Sequence, residues 1–147
     1  MKHPAVLPDK DMLLAACRGF PQLANHPMLT AAAELAVLHQ TREHTPHSGL
    51  AAIDRHRTLL MERIDTWVIT CVPHPKLSAR VHTHTMGQVI DRIAQLTSYT
   101  YTLLSGASDA VFFNSAAYVE ELAHGYEDLC TELAAGVRRL PVIAVDP

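Results

Sequence analysis

The run LAAIDRHRTLLMERIDTWVITC, from Leu50 to Cys71, decides the fold. At about 100° per residue, Ile53, Leu60, Ile64, Trp67, Val68 and Cys71 fall on one face, the apolar stripe of an amphipathic helix. Before it, Thr45-Pro46-His47-Ser48-Gly49 is a turn, and after it Pro73 and Pro75 mark a linker. A long helix held between breakers sets the reading of its flanks.

Upstream, Leu29 to Arg42 is strongly helical, and Ala31 to Leu38 is apolar nearly all round. Such a helix is central in its domain or covered by a partner chain. A Pro27 break precedes it, and a short helix from Asp9 to about Gly19, capped by Asp9, stops before Pro21. Residues 1–8 read as an extended lead. Downstream, Thr85-Met86-Gly87-Gln88 matches a capping box, with Thr85 as N-cap and Gln88 reaching back. The helix it opens reaches Leu104 or Ser105, with Met86, Val89, Ile90, Ile93, Leu96, Thr97, Thr100 and Leu104 on its inner face. Gly106 to Phe113 reads as a loop exposing Phe112 and Phe113. The last helix runs from about Ser115 to Arg139, and Val119, Leu122, Tyr126, Leu129, Leu133 and Leu140 step along it by three and four. Residues 141–147 form an extended tail. The expectation is all-α: an up-down bundle of about four main helices with a short N-terminal helix, in one domain over residues 1–147.

The bulk numbers agree with a helical core. The chain has 147 residues, a length that suits one core, and 48% of them are hydrophobic while only 5% are aromatic. Ala and Leu supply much of that content, which favours helices packed on small residues over a β-sandwich. A net charge of −3 gives no reason to expect nucleic acid or an anionic membrane as a partner. The longest basic run, Arg138-Arg139, sits at a helix end, where cations suit the dipole. Cys17, Cys71 and Cys130 are odd in number and form no CxxC, which argues against a disulfide framework and for a reducing cytoplasm. The N-terminus lacks the apolar stretch of a signal peptide, and no run of about 20 apolar residues exists to span a membrane.

Two clusters invite chemistry. Arg57 lies on the apolar stripe between Ile53 and Leu60, where a guanidinium must find acceptors. It either closes on Asp54 or Asp65 as a structural ion pair or holds an anionic or carbonyl group in a pocket. The second cluster runs from Arg80 through His82, His84 and Thr85 to Gln88, where the unpaired N–H groups of a helix start can bind an anion and Gly87 permits close approach. Asp91, which the helical wheel turns away from the apolar face, and Arg92 on its flank form an exposed ion pair or reach across to the Arg57 helix. In the small-molecule reading His82, His84 and Asp54 are the catalytic set, and Arg57, Thr85, Asp91 and Arg92 hold the substrate. Whether that site catalyses or only binds stays open, the cofactor is unspecified and no metal ligands are assigned. Two further readings stand beside it. One is an oligomeric or partner-docking bundle, with a homodimer as the expected assembly. The other is a His-ligated metal or haem protein, which the ten histidines suggest. There is no GxSxG, Walker loop or GxGxxG.

Ile53 to Thr58, then Met61-Glu62-Arg63-Ile64-Asp65, then Thr85 to Arg92 resemble a bacterial family known as domain of unknown function 4254. Arg57, Glu62, Asp65, Gly87, Asp91 and Arg92 match its pattern, while Asp54 and Thr58 stand where amides are expected. The resemblance spans about residues 30 to 135. It implies an all-helical bacterial protein and supplies no activity.

Overall fold

Helix boundaries follow local capping chemistry closely. The structure, a computed structural model, describes residues 7–20 and 26–142. Among these, five α-helices form: α1 Lys10–Cys17, α2 Pro27–Glu43, α3 Leu50–Cys71, α4 Met86–Leu103 and α5 Asp109–Ala135. Asp9 accepts the Met12 N–H to start α1, and Thr85 and Gln88 close both arms of the capping box on α4. Pro27 does not break the chain but opens α2 from its first position, where its missing N–H costs nothing.

The all-α expectation is met, and the helices pack on one another as a bundle. α2 lies against α1, α3 and α4; α3 also packs on α4; α5 packs on α4 and α1. The apolar α2 is therefore central, burying Met28, Leu29, Ala31, Ala32, Leu35 and Ala36, and of its large apolar side chains only Val37 is strongly exposed. α3 contributes Leu60, Ile64 and Val68 to the core, α4 contributes Met86, Ile90, Ile93 and Ala94, and α5 contributes Val119, Ala123, Leu129 and Leu133. Each Leu, Ile, Val or Met among them stabilises the fold by about 1.5–3 kcal/mol on full burial, the alanines by less. The buried Tyr126 hydroxyl donates to the Pro8 carbonyl at 2.6 Å, which ties the entry of α1 to α5 without an orphaned polar group. No described helix is long and apolar enough to cross a membrane.

The structure corrects three details. α5 begins at Asp109, not near Ser115, because Ser108 accepts the Val111 N–H as N-cap. Phe112 and Phe113 thus ride on the first turns of a helix, their rings edge to face with centroids 5.5 Å apart. Arg138-Arg139 is not a helix end either. α5 closes at Gly136, whose φ of 73° would strain any other residue type, and the Val137 N–H folds back to the Glu132 carbonyl. The chain beyond it forms β2 (Arg138–Arg139), parallel to β1 (Arg80–Val81). The Lys76 N–H donates to Gly136 O and the His82 N–H to Arg139 O, each at 2.8 Å, so the linker between α3 and α4 is fastened to the end of α5. Residues 141 and 142 carry no regular structure. The rest of the expected tail, residues 1–6 of the lead and Pro21 lie outside the described residues.

Candidate functional site

Arg57 meets acceptors from two helices. Its Nε and Nη2 donate to Asp91 Oδ1 and Oδ2 at 3.2 and 2.6 Å, a two-pronged pair, while Nη1 donates to Asp54 Oδ1 at 2.9 Å. Asp54 also receives Nε and Nη2 of Arg42 at 3.0 and 3.2 Å. His39 Nε2 lies 2.8 Å from Asp91 Oδ1. An alternating chain, His39–Asp91–Arg57–Asp54–Arg42, therefore stitches α2, α3 and α4 together. Asp91 is buried rather than turned outward, because its face of α4 meets the seam between α2 and α3, where His39 and Arg57 satisfy both its oxygens.

Electrostatics fixes the protonation of this chain. Hydrogen bonds from Arg42 and Arg57 hold the Asp54 carboxyl down to about 2. Burial opposes ionisation of Asp91, but hydrogen bonds and charge from His39 and Arg57 outweigh it and keep the carboxyl below its ordinary range. The hydrogen bond to Asp91 raises Arg57 further above its usual value. An ionised Asp91 can only accept, so His39 Nε2 carries the hydrogen and donates it.

The start of α4 does bind an anion, and that anion is the chain's own Asp65. The Gly87 N–H donates to Asp65 Oδ1 at 2.7 Å while Thr85 is buried in its capping box. Gly87 permits this crossing: a Cβ there would run into the Met61 carbonyl oxygen and lie 2.8 Å from Met61 Cα. Burial raises the Asp65 carboxyl above the usual range, an effect the Gly87 N–H partly offsets. Asp65 is thus a cap for α4 and not a partner of Arg57.

His82 and His84 sit in the loop ahead of Thr85 and bond locally. The His84 N–H donates to His82 Nδ1 at 3.1 Å, and His84 Nδ1 lies 2.9 Å from Thr83 Oγ1. Among the described residues no hydrogen bond, ion pair or ring contact joins either histidine to Arg57, Asp54 or Asp91. Nor do three His, Cys, Asp or Glu side chains there converge as they would around a metal ion. All three cysteines are free, and burial pushes the Cys17 thiol up to about 12 and that of Cys130 up to about 11.

A hollow of about 290 Å³ opens beside the ionic chain, between α2 and α4. His39, Arg42 and Glu43 line it from α2; Arg92, Gln95, Leu96 and Tyr99 line it from α4. Arg92 Nη1 donates to Gln95 Oε1 at 2.9 Å and has no carboxylate partner among the described residues. Tyr99 is half exposed at this wall instead of being packed inside. Among the described residues the His39 side chain makes one hydrogen bond, through Nε2, and its Nδ1 makes none. The structure thus brings Arg57, Asp54 and Asp91 together, puts Arg92 on the hollow, and keeps Thr85, His82 and His84 at the capped start of α4. Sequence reasoning missed His39 and Arg42. The available signal was His39 four residues after Leu35, a polar side chain on the buried stripe of an otherwise apolar helix.

No curated protein and no solved structure matches the chain. A family model described as "Protein of unknown function (DUF4254)" matches residues 46–109, which run from the turn before α3 through α4 to the first residue of α5. This match is narrower than the span of about residues 30 to 135 that the motifs suggest, and it leaves out His39 and Arg42 on α2. The resemblance to the domain of unknown function 4254 family therefore holds over residues 46–109, the segment that carries Arg57, Glu62, Asp65, Gly87, Asp91 and Arg92.

Proposed function

We propose that this chain binds a small anionic or carbonyl-bearing molecule in the hollow between α2 and α4. One observation carries the reading: two guanidiniums and a carboxylate-backed histidine line a single cavity, and one of those guanidiniums, Arg92, has no counter-ion among the described residues. Small-molecule sites usually begin near 300 Å³, so the hollow suits a small ligand. Arg92 makes the first charged contact, Arg42 and Tyr99 flank it, and His39 is the group able to exchange a proton. Arg57 acts at one remove as a positioning residue, holding Asp91 and through it His39. His82 and His84 stay outside the site.

Calorimetric titration with a panel of small organic acids, ketones and phosphate tests this. Arg92 is exposed, so Arg92→Gln should fold normally and weaken binding about tenfold or more, as expected for losing a charged hydrogen bond. Equal affinities of Arg92→Gln and wild type for every probe would sink the proposal.

A second reading concerns assembly. Leu59 and Ile69 on α3, and Tyr101, Leu104 and Phe113 around the α4–α5 turn, are exposed apolar side chains, which supports a homodimer. Sedimentation should show association that rises with concentration, and a monomer at every concentration would reject it. Three free cysteines and the family's bacterial membership support placing the protein in a bacterial cytoplasm.

A further inference from the structure

Among the described residues, and with His39 counted in its neutral Nε2–H form, the charges around the hollow cancel. Arg42, Arg57 and Arg92 supply three positive charges, and Glu43, Asp54 and Asp91 supply three negative ones. These groups cover each element that faces His39: Arg42 and Glu43 on its own α2, Asp54 and Arg57 on α3, Asp91, Arg92 and Tyr99 on α4. α1, which also packs on α2, places no charged side chain on the hollow, and its Lys10 pairs with Asp11 and Glu120. An anion entering this balanced site would leave one negative charge unmatched in a partly desolvated place, which is costly. Nearby, the side chain with a second ring nitrogen that can take up a proton is His39. Its Nε2–H is already fixed on Asp91, its ring lines the hollow and its Nδ1 has no partner among the described residues.

We infer that the hollow takes a small monoanion of the carboxylate class together with one proton, which His39 holds at Nδ1. This rests on the binding reading above and names its ligand class. The proton comes from solvent or from the acid itself, the Nε2–H stays on Asp91, and no other bond forms or breaks. Nδ1–H then donates to one carboxylate oxygen while Arg92 serves the other. A dianion brings a second charge that no remaining group answers, so monocarboxylates are preferred to phosphate or succinate.

Titrating the full chain with acetate, lactate and benzoate near pH 7, in bis-Tris and in Tris at equal ionic strength, reads the proton directly, because the two buffers release it with different heats. The expected result is an apparent enthalpy that differs between buffers, and an affinity that falls by up to about tenfold per pH unit on the alkaline side. His39→Gln should remove both effects. Wild-type protein alone gives a second readout that no folding defect can cloud: with acetate bound, the His39 ring resonances should titrate at higher pH. Arg92-dependent binding with equal heats in both buffers and an unmoved His39 titration would overturn the proton coupling and leave the site standing. Phosphate or succinate binding more tightly than the monocarboxylates would overturn the ligand class. Absence of any Arg92-dependent anion binding would overturn the site itself, and the coupling with it.

Discussion

Asp91 draws hydrogen-bond donors from two other helices onto one carboxylate, so its removal should be felt across α2, α3 and α4 together. Asp91→Asn keeps the shape but leaves Arg57 and His39 facing a neutral amide. A fully buried pair broken this way costs about 3–5 kcal/mol, and some water at Arg57 moderates that to about 2–3 kcal/mol, read as a lower urea midpoint. Gly87→Ala should cost about 1–3 kcal/mol, because the Met61 backbone it strikes belongs to a packed helix and cannot yield. Thermal unfolding checks it, and a change within a few tenths of a kcal/mol would mean that α3 and α4 separate easily. The anomaly of Arg57 was legible in sequence, since a guanidinium on an apolar stripe has to be answered. Its main partner was less so. A helical wheel knows only its own helix, so it turns Asp91 outward and leaves its reach to the Arg57 helix, which the structure shows, as one of two alternatives. Asp65 hid for the same reason: the donor that claims it is a backbone N–H, which no side-chain pattern announces.

Caps made most elements readable. Asp9, Thr85 with Gln88, and the prolines around α3 put four helices within a few residues of their observed ends. α5 was misjudged at its start because Val111, Phe112 and Phe113 look too apolar for a surface helix, yet Val111 and Phe113 are largely exposed there. Most of the side chains from 109 to 118 are exposed, whereas Val119, Ala123, Tyr126, Leu129 and Leu133 anchor the rest. Amide exchange should therefore be faster over residues 111–118 than over 119–135. Uniform protection along α5 would show that something covers its first turns. β1 and β2 were beyond reach, because two-residue strands carry no periodicity to read.

For the molecule as a whole, acid is the informative stress. Asp54 and Asp91 have lower values folded than the ordinary aspartate, about 3.9, so the unfolded chain takes up protons first. The stability they contribute is complete above that range and is lost as pH falls through their depressed values. Asp65, raised by burial, acts in the opposite sense, favouring the fold most when protonated and losing that contribution as pH rises. Urea midpoints should drop between about pH 5 and pH 2, and Asp91→Asn should flatten that drop. A slope unchanged by the substitution would assign acid sensitivity to other carboxylates. Helix order and the central α2 followed from sequence at this scale, because breakers and apolar content suffice for them. The hollow did not, since it exists only where α2 and α4 diverge. The backbone bonds from Lys76 to Gly136 and from His82 to Arg139 also bear on how the protein is made. Synthesis proceeds from the N-terminus, so α3 and α4 are translated well before Arg139. A nascent chain stalled at Ala135 would contain the residues of all five helices, yet the segment leading into Thr85 would still await its backbone partners. The middle of this protein is finished by residues translated long after it.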